Sequence, residues 1–270
     1  MSQNSIGSLS VGGVPRVVGV LAGDPREFPA LAADARAQGA DILEFRADFC
    51  FGQEPKTVLS LVRQVKQVGN LPILLTVRQF PEGGYFAGSE RERLDFFRCL
   101  LPEVAAVDVE LYAKEIRDEV IHLAHATQKL AIVSYHNFKH TPRVPKLREV
   151  IEDAIWFKAD MVKIAVMATT EEDVKSLTRF TADFDGDILL TAISMGEAGT
   201  VSRVLNPFLG SCFTYGFIGN KPSTPGQIQV TDLRRLIDAF PSQRIANVQE
   251  AEELVHSAFE HCGYGACVPA

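Results

Sequence analysis

Apolar residues along this chain follow two alternating rhythms. Runs that are apolar at nearly every position occur at residues 16–21, 42–46, 73–77, 107–110, 130–135, 161–166, 188–193 and 211–217, and they read as strands covered on both faces. Each is followed by a stretch with apolar residues three and four apart, at 28–38, 56–68, 89–99, a run ending at 126, then 146–158, 171–184, 200–205 and 230–240, which reads as an amphipathic helix. Gly39 and Gly69 close the first two helices, and Ser89 followed by Glu92 is a capping-box start for the third. Eight such units in series predict an α/β fold of the closed kind, a (β/α)8 TIM barrel. An open doubly wound sheet is disfavoured, because the turn after the first strand, Gly23-Asp24-Pro25, lacks the glycine spacing that cradles a dinucleotide. One further amphipathic run, 248–261, lies in a C-terminal extension, 241–270. The expectation is a single domain over 1–270, with the barrel at about 16–240 and an extra C-terminal helix packed outside it or used in an oligomer contact.

Composition narrows the class. With 270 residues, 46% hydrophobic, the chain can bury one large core, and its formal charge of -7 argues against a nucleic-acid or anionic-membrane surface. No run of eighteen apolar residues appears, and the Ser/Gly-rich opening has no basic segment followed by an apolar one, so neither a membrane span nor a secretory signal is expected. Five scattered cysteines without a CxxC pair suit reduced thiols and a cytoplasmic location. Only Cys262 and Cys267 are close enough in sequence to be considered as a labile pair.

The chemistry starts from Lys163, the one cation inside the apolar strand around Met161-Val162-Lys163-Ile164-Ala165-Val166. An amine held among hydrocarbon loses solvation, becomes easier to deprotonate and can attack a carbonyl; the plainer reading is a lysine whose stem lies in the strand and whose head reaches water. Strand ends supply further polar groups at what is the reactive face of such barrels: Glu44 and Arg46, Arg78 and Glu82, Asp108 and Glu110, His136, Arg203, and Ser223 with Gln227 after the eighth strand. Glu44 and Arg46 are two apart and share a strand face, which predicts a carboxylate beside a guanidinium. Asp108 and Glu110 read as structural partners within the barrel, His136 alone could be a core histidine, and His122 with His125 reads as surface rather than as a metal site.

Six motifs in series carry a family resemblance: Leu43-Glu44-Phe45-Arg46-Ala47-Asp48; Thr76-Val77-Arg78 with Glu82-Gly83-Gly84; Ser134-Tyr135-His136-Asn137-Phe138; Val162-Lys163-Ile164-Ala165; Ser194-Met195-Gly196 with Ser202-Arg203; and Pro225-Gly226-Gln227. From about Val17 to Phe240 the chain resembles the type I 3-dehydroquinate dehydratases, (β/α)8 barrels of the shikimate pathway. The resemblance implies dehydration of 3-dehydroquinate to 3-dehydroshikimate through a Schiff base on Lys163, without metal or organic cofactor. It implies His136 as acid and base, Glu82 as the carboxylate that orients it, and Arg203 as the partner of the substrate carboxylate. Ser223 and Gln227 would close over the substrate from a glycine- and proline-rich lid at 219–227, while Glu44, Arg46 and Arg78 would meet the ring hydroxyls. It also suggests a homodimer. A Schiff-base aldolase on the same barrel is the rival enzyme reading, weakened by Lys221-Pro222-Ser223-Thr224-Pro225 where a phosphate nest is expected. A barrel that only binds is the rival from another class. Biosynthetic and quinate-degrading roles need the same site and are not separable on these residues.

Overall fold

The computed structural model describes residues 5–239, Ile245 and residues 248–261. Eight strands form one parallel sheet: β1 Arg16–Leu21, β2 Ile42–Arg46, β3 Ile73–Thr76, β4 Ala106–Glu110, β5 Leu130–Asn137, β6 Met161–Met167, β7 Leu189–Met195 and β8 Phe213–Phe217. Sequence neighbours pair in register around the sheet, and β8 returns to β1 with Phe213 opposite Arg16 and Phe217 opposite Val20. The last seam, between β7 and β8, is stitched by the Cys212 N–H donating to Leu190 O at 2.7 Å and the Phe213 N–H donating to Thr191 Oγ1 at 3.2 Å. The result is a nearly closed barrel, as the alternation of the two rhythms predicts.

Helices α1 Phe28–Ala37, α2 Pro55–Gly69, α3 Glu90–Leu100, α4 Arg117–Ala126, α5 Val144–Trp156, α6 Glu171–Ala182, α7 Ser202–Phe208 and α8 Val230–Asp238 cover the outside. Their starts are chemically marked. Ser89 and Glu92 complete the capping box at α3, Thr170 and Asp173 do the same at α6, and proline opens α2. The core accordingly has two layers: one between sheet and helices, and a smaller one inside the barrel built from Val18, Ile42, Leu74, Leu130, Ile132, Met161 and Phe213.

Two features were not anticipated. Ser5–Ile6 and Leu9–Ser10 pair as a short antiparallel hairpin turning at Gly7, whose φ is 59°. Ile6 and Val11 are buried in the inner layer, and a Cβ on Gly7 would lie 3.4 Å from Pro72, just ahead of β3, so the hairpin closes the N-terminal end of the barrel. Second, the barrel continues into α7 through a 3-10 turn, Ala198–Val201, and α7 runs past the expected end at 205 with Pro207 inside it. The extra helix, α9 Val248–His261, packs on the barrel exterior: Ala251, Val255 and Phe259 are buried in the outer layer, and the Ile245 N–H donates to Phe208 O at 2.8 Å. Cys262 and Cys267 lie outside the described residues. His125 is not a plain surface residue, since its Nε2 meets Asp160 Oδ2 at 3.0 Å, and no metal-binding cluster occurs among the described residues.

Candidate active site

The C-terminal mouth of the barrel holds one cavity lined by all nine residues singled out from the sequence: Glu44, Arg46, Arg78, Glu82, His136, Lys163, Arg203, Ser223 and Gln227. Strand register does the placing. Ser134 is level with Lys163 and His136 with Ala165, so the imidazole comes from β5 one step further towards the mouth than the amine from β6.

Lys163 is buried, at 5% exposure, but its surroundings are not the hydrocarbon expected from the strand. Its Nζ donates to Asp108 Oδ2 at 3.1 Å, lies 3.6 Å from Glu44 Oε1 and sits 4.1 Å over the Tyr215 ring. Two carboxylates and an aromatic face surround the amine. The reason is topological: β4 and β2 lie beyond β5 and β3 in the sheet, so their inward side chains meet the amine across the barrel interior. Asp108 is thus the buried ion-pair partner that the strand reading makes it, shared by Lys163 and Arg78, and it is not among the residues lining the cavity. The pairing expected between Glu44 and Arg46 is also different. Arg46 turns to Asp48, with both bonds of the fork at 2.8 Å, because the chain enters a 3-10 turn at Ala47–Cys50 and swings Asp48 back under it. Glu44 instead accepts from Thr76 Oγ1 at 2.8 Å.

Arg78 is the hub of this charged half. Its guanidinium donates to Asp108 at 2.6 Å and to Ser134 at 2.8 Å, and lies 3.1 Å from Glu110. Burial alone would lower Arg78 and raise Asp108; their mutual attraction, with Glu110 acting on Arg78 and Lys163 on Asp108, wins and moves both the other way, so both stay charged. Arg93, from α3, braces Glu110 from behind at 2.5 Å.

His136 is anchored by Glu82. One oxygen, Oε2, accepts the His136 backbone N–H at 3.1 Å and faces Nδ1 at 2.9 Å. When Glu82 is ionised, that shared acceptor takes the Nδ1 proton and leaves the Nε2 lone pair free. Burial, then the positive charges of Arg78 and Lys163, holds the ring well below its ordinary value, so it is neutral and available as a base. Burial also pushes the Glu82 carboxyl up to about 8, although Arg78 opposes it. The turn that delivers Glu82 depends on Gly84, where a Cβ would fall 1.9 Å from Arg78 O.

The other side of the cavity is built differently. Arg203, from α7, is 2% exposed and meets only neutral oxygens: Gly226 O at 2.7 Å, Tyr215 O at 3.3 Å, Pro225 O at 3.3 Å and Thr224 Oγ1 at 3.5 Å. Burial without a counter-charge lowers its guanidinium to about 10. The loop at 219–227 is held against this arginine, and the Ser223 N–H and hydroxyl both donate to Gln227 Oε1 at 2.9 Å. Gly226, at φ 72°, allows the close pass, since a Cβ there would lie 2.1 Å from Gly196 O.

The mouth thus gathers a carboxylate-bound amine, an anchored neutral imidazole and a buried, uncompensated guanidinium, the fittings of a (β/α)8-barrel enzyme for a small-molecule substrate. Residues 17–242 match the family model described as type I 3-dehydroquinase. The 3-dehydroquinate dehydratase of Methanosarcina barkeri is 35% identical over 241 residues, 86% of this chain and 98% of that protein. Among solved structures, the type I 3-dehydroquinate dehydratase of Clostridium difficile superposes with a TM-score of 0.80 at 27% identity, covering 87% of this chain and 96% of that one. The Aquifex aeolicus 3-dehydroquinate dehydratase gives 0.73 at 30% identity, covering 83% and 98%. The chain belongs to the type I 3-dehydroquinase family.

Proposed function

We propose that this chain dehydrates 3-dehydroquinate to 3-dehydroshikimate, with Lys163 as the nucleophile that forms a Schiff base and His136 as the proton carrier. Family membership over most of the chain makes the activity that of a 3-dehydroquinate dehydratase, a hydro-lyase, and does not favour the aldolase or the binding-only barrel. The observation that carries the mechanism is the meeting, in one cavity, of the only described lysine on a barrel strand with a neutral imidazole anchored by the Glu82 carboxyl group. Attack by the amine on the ketone, followed by loss of water, gives an iminium. Its charge is stabilised by the Asp108 and Glu44 carboxylates already grouped on Nζ. The iminium draws electrons from the neighbouring CH2, whose proton passes to His136 Nε2. The electron pair then expels the hydroxyl one carbon further, which leaves as water on taking that proton, and a second water releases the product from the lysine.

Glu82 keeps the imidazole in the tautomer this needs. Arg203 takes the substrate carboxylate, Ser223 and Gln227 close the loop over it, and Glu44, Arg46 and Arg78 face the ring hydroxyls. The loop at 219–227 acts as a lid that keeps bulk water from the imine. We further propose a single domain over 1–270, a cytoplasmic homodimer and a place in aromatic biosynthesis. Sedimentation equilibrium tests the dimer; a monomeric mass at micromolar concentration refutes it. For the mechanism, borohydride added during turnover should fix a covalent adduct on Lys163, and an unmodified Lys163 peptide after complete substrate conversion overturns the assignment.

A further inference from the structure

Four buried side-chain polar atoms among the described residues lack a hydrogen-bond partner, on Gln38, Ser194, Tyr215 and Arg234, and only Tyr215 of these lines the cavity. Tyr215 comes from β8, is 4% exposed, and turns its ring face to Lys163 Nζ at 4.1 Å. Its hydroxyl is shielded from water yet bonded to nothing. A buried hydroxyl in that state costs stability, and a phenylalanine would give the same ring beneath the amine without the cost. On a residue that lines the cavity, such an oxygen is available to a partner that arrives with the substrate.

We infer that the Tyr215 hydroxyl donates a hydrogen bond to the substrate carbonyl oxygen that Lys163 attacks, and keeps that bond while the oxygen becomes the carbinolamine hydroxyl. This rests on the Schiff-base reading above and extends it to one more substrate-contacting residue. In the step concerned the C–N bond forms, the C=O π pair moves to oxygen, and that oxygen takes up the proton the amine releases. Tyr215 gives up no proton of its own. Burial, and then Glu44 and Asp108, push the phenol well above its ordinary value, which keeps it a donor. The carboxylates beside Lys163 can only accept, so a carbonyl oxygen arriving there finds on Tyr215 a donor not already engaged in a bond.

Tyr215→Phe tests this, because it removes a single oxygen. The expected result is a fall in kcat/KM of about 10-fold or more, with an equal slowing of borohydride-trapped adduct formation, and a Tm unchanged or raised. A kcat/KM within about twofold of the parent overturns the inference. So does a lowered Tm accompanying lost activity, which makes the hydroxyl structural. If the parent protein itself gives no adduct on Lys163 during turnover, the Schiff-base reading falls and this inference falls with it. If the parent traps and Tyr215→Phe traps at the same rate, only the inference falls.

Discussion

The two halves of the cavity handle buried charge in opposite ways. Across β2 to β6 every cation has its counter-charge within the chain: Lys163 with Asp108 and Glu44, Arg78 with Asp108 and Glu110, Arg46 with Asp48. Across β7 and β8 the single buried cation, Arg203, touches only carbonyl and hydroxyl oxygens. An internally balanced network is rigid and prebuilt, whereas an unbalanced guanidinium is a standing demand for an anion from outside. In the mechanism we propose, bonds are remade in the first half and the substrate is held in the second.

The largest expected effect comes from cutting the reactive half. Lys163→Ala should lower kcat by on the order of 10⁴-fold or more and abolish the borohydride adduct, and steady-state assay with mass spectrometry checks both. Next, Arg78→Met should lower stability by about 3 kcal/mol in urea unfolding, because it removes the cation that Asp108 and Glu110 share and leaves them only Lys163 and Arg93. Arg203→Met is the counterpart on the other side. It should raise KM so that kcat/KM falls about 100-fold, yet leave Tm close to the parent's, and a carboxylate-bearing product analogue should no longer raise that Tm. If both arginine variants destabilise alike, the contrast between the halves is lost.

The smallest effect is a pH dependence from the Glu82–His136 pair. The folded Glu82 value, about 8, is raised from the ordinary 4.5, so its contribution to stability is full below the unfolded carboxyl value and is lost as pH rises towards 8. His136 is lowered from 6.5, so its contribution is lost as pH falls below that value. Below 6.5 the two oppose one another, and the window left is from pH 6.5 to 8. There, stability should fall with rising pH by up to about 1.4 kcal/mol per unit, and Glu82→Gln should flatten that slope in unfolding titrations.

What the chain disclosed to reading depended on distance along it. The strand runs and helix periods are local, so the barrel, Lys163 within its strand, His136 towards the end of its own and Arg203 after the seventh are legible. Partnership across the barrel was not. Asp108 and Lys163 are separated by 55 positions, and nothing in either strand says that their side chains meet. Arg46 was misjudged for the opposite reason: strand alternation holds only while the strand lasts, and the turn at Ala47–Cys50 gave it Asp48. The opening hairpin escaped notice because two-residue strands are too short to carry a period, although Gly7 marks its turn. Tyr215 reads in sequence as one more apolar position of β8, and only coordinates reveal that its oxygen has no partner.

The hairpin at residues 5–10 seals the far end of a barrel whose interior is already packed, with Ile6 and Val11 as its base, so the cavity is a cup. A vessel with one opening imposes an order on traffic: ketone in, water out, and enone out must all cross the same rim, past the loop tied to Arg203. Changes to the loop should then register as altered departure of product.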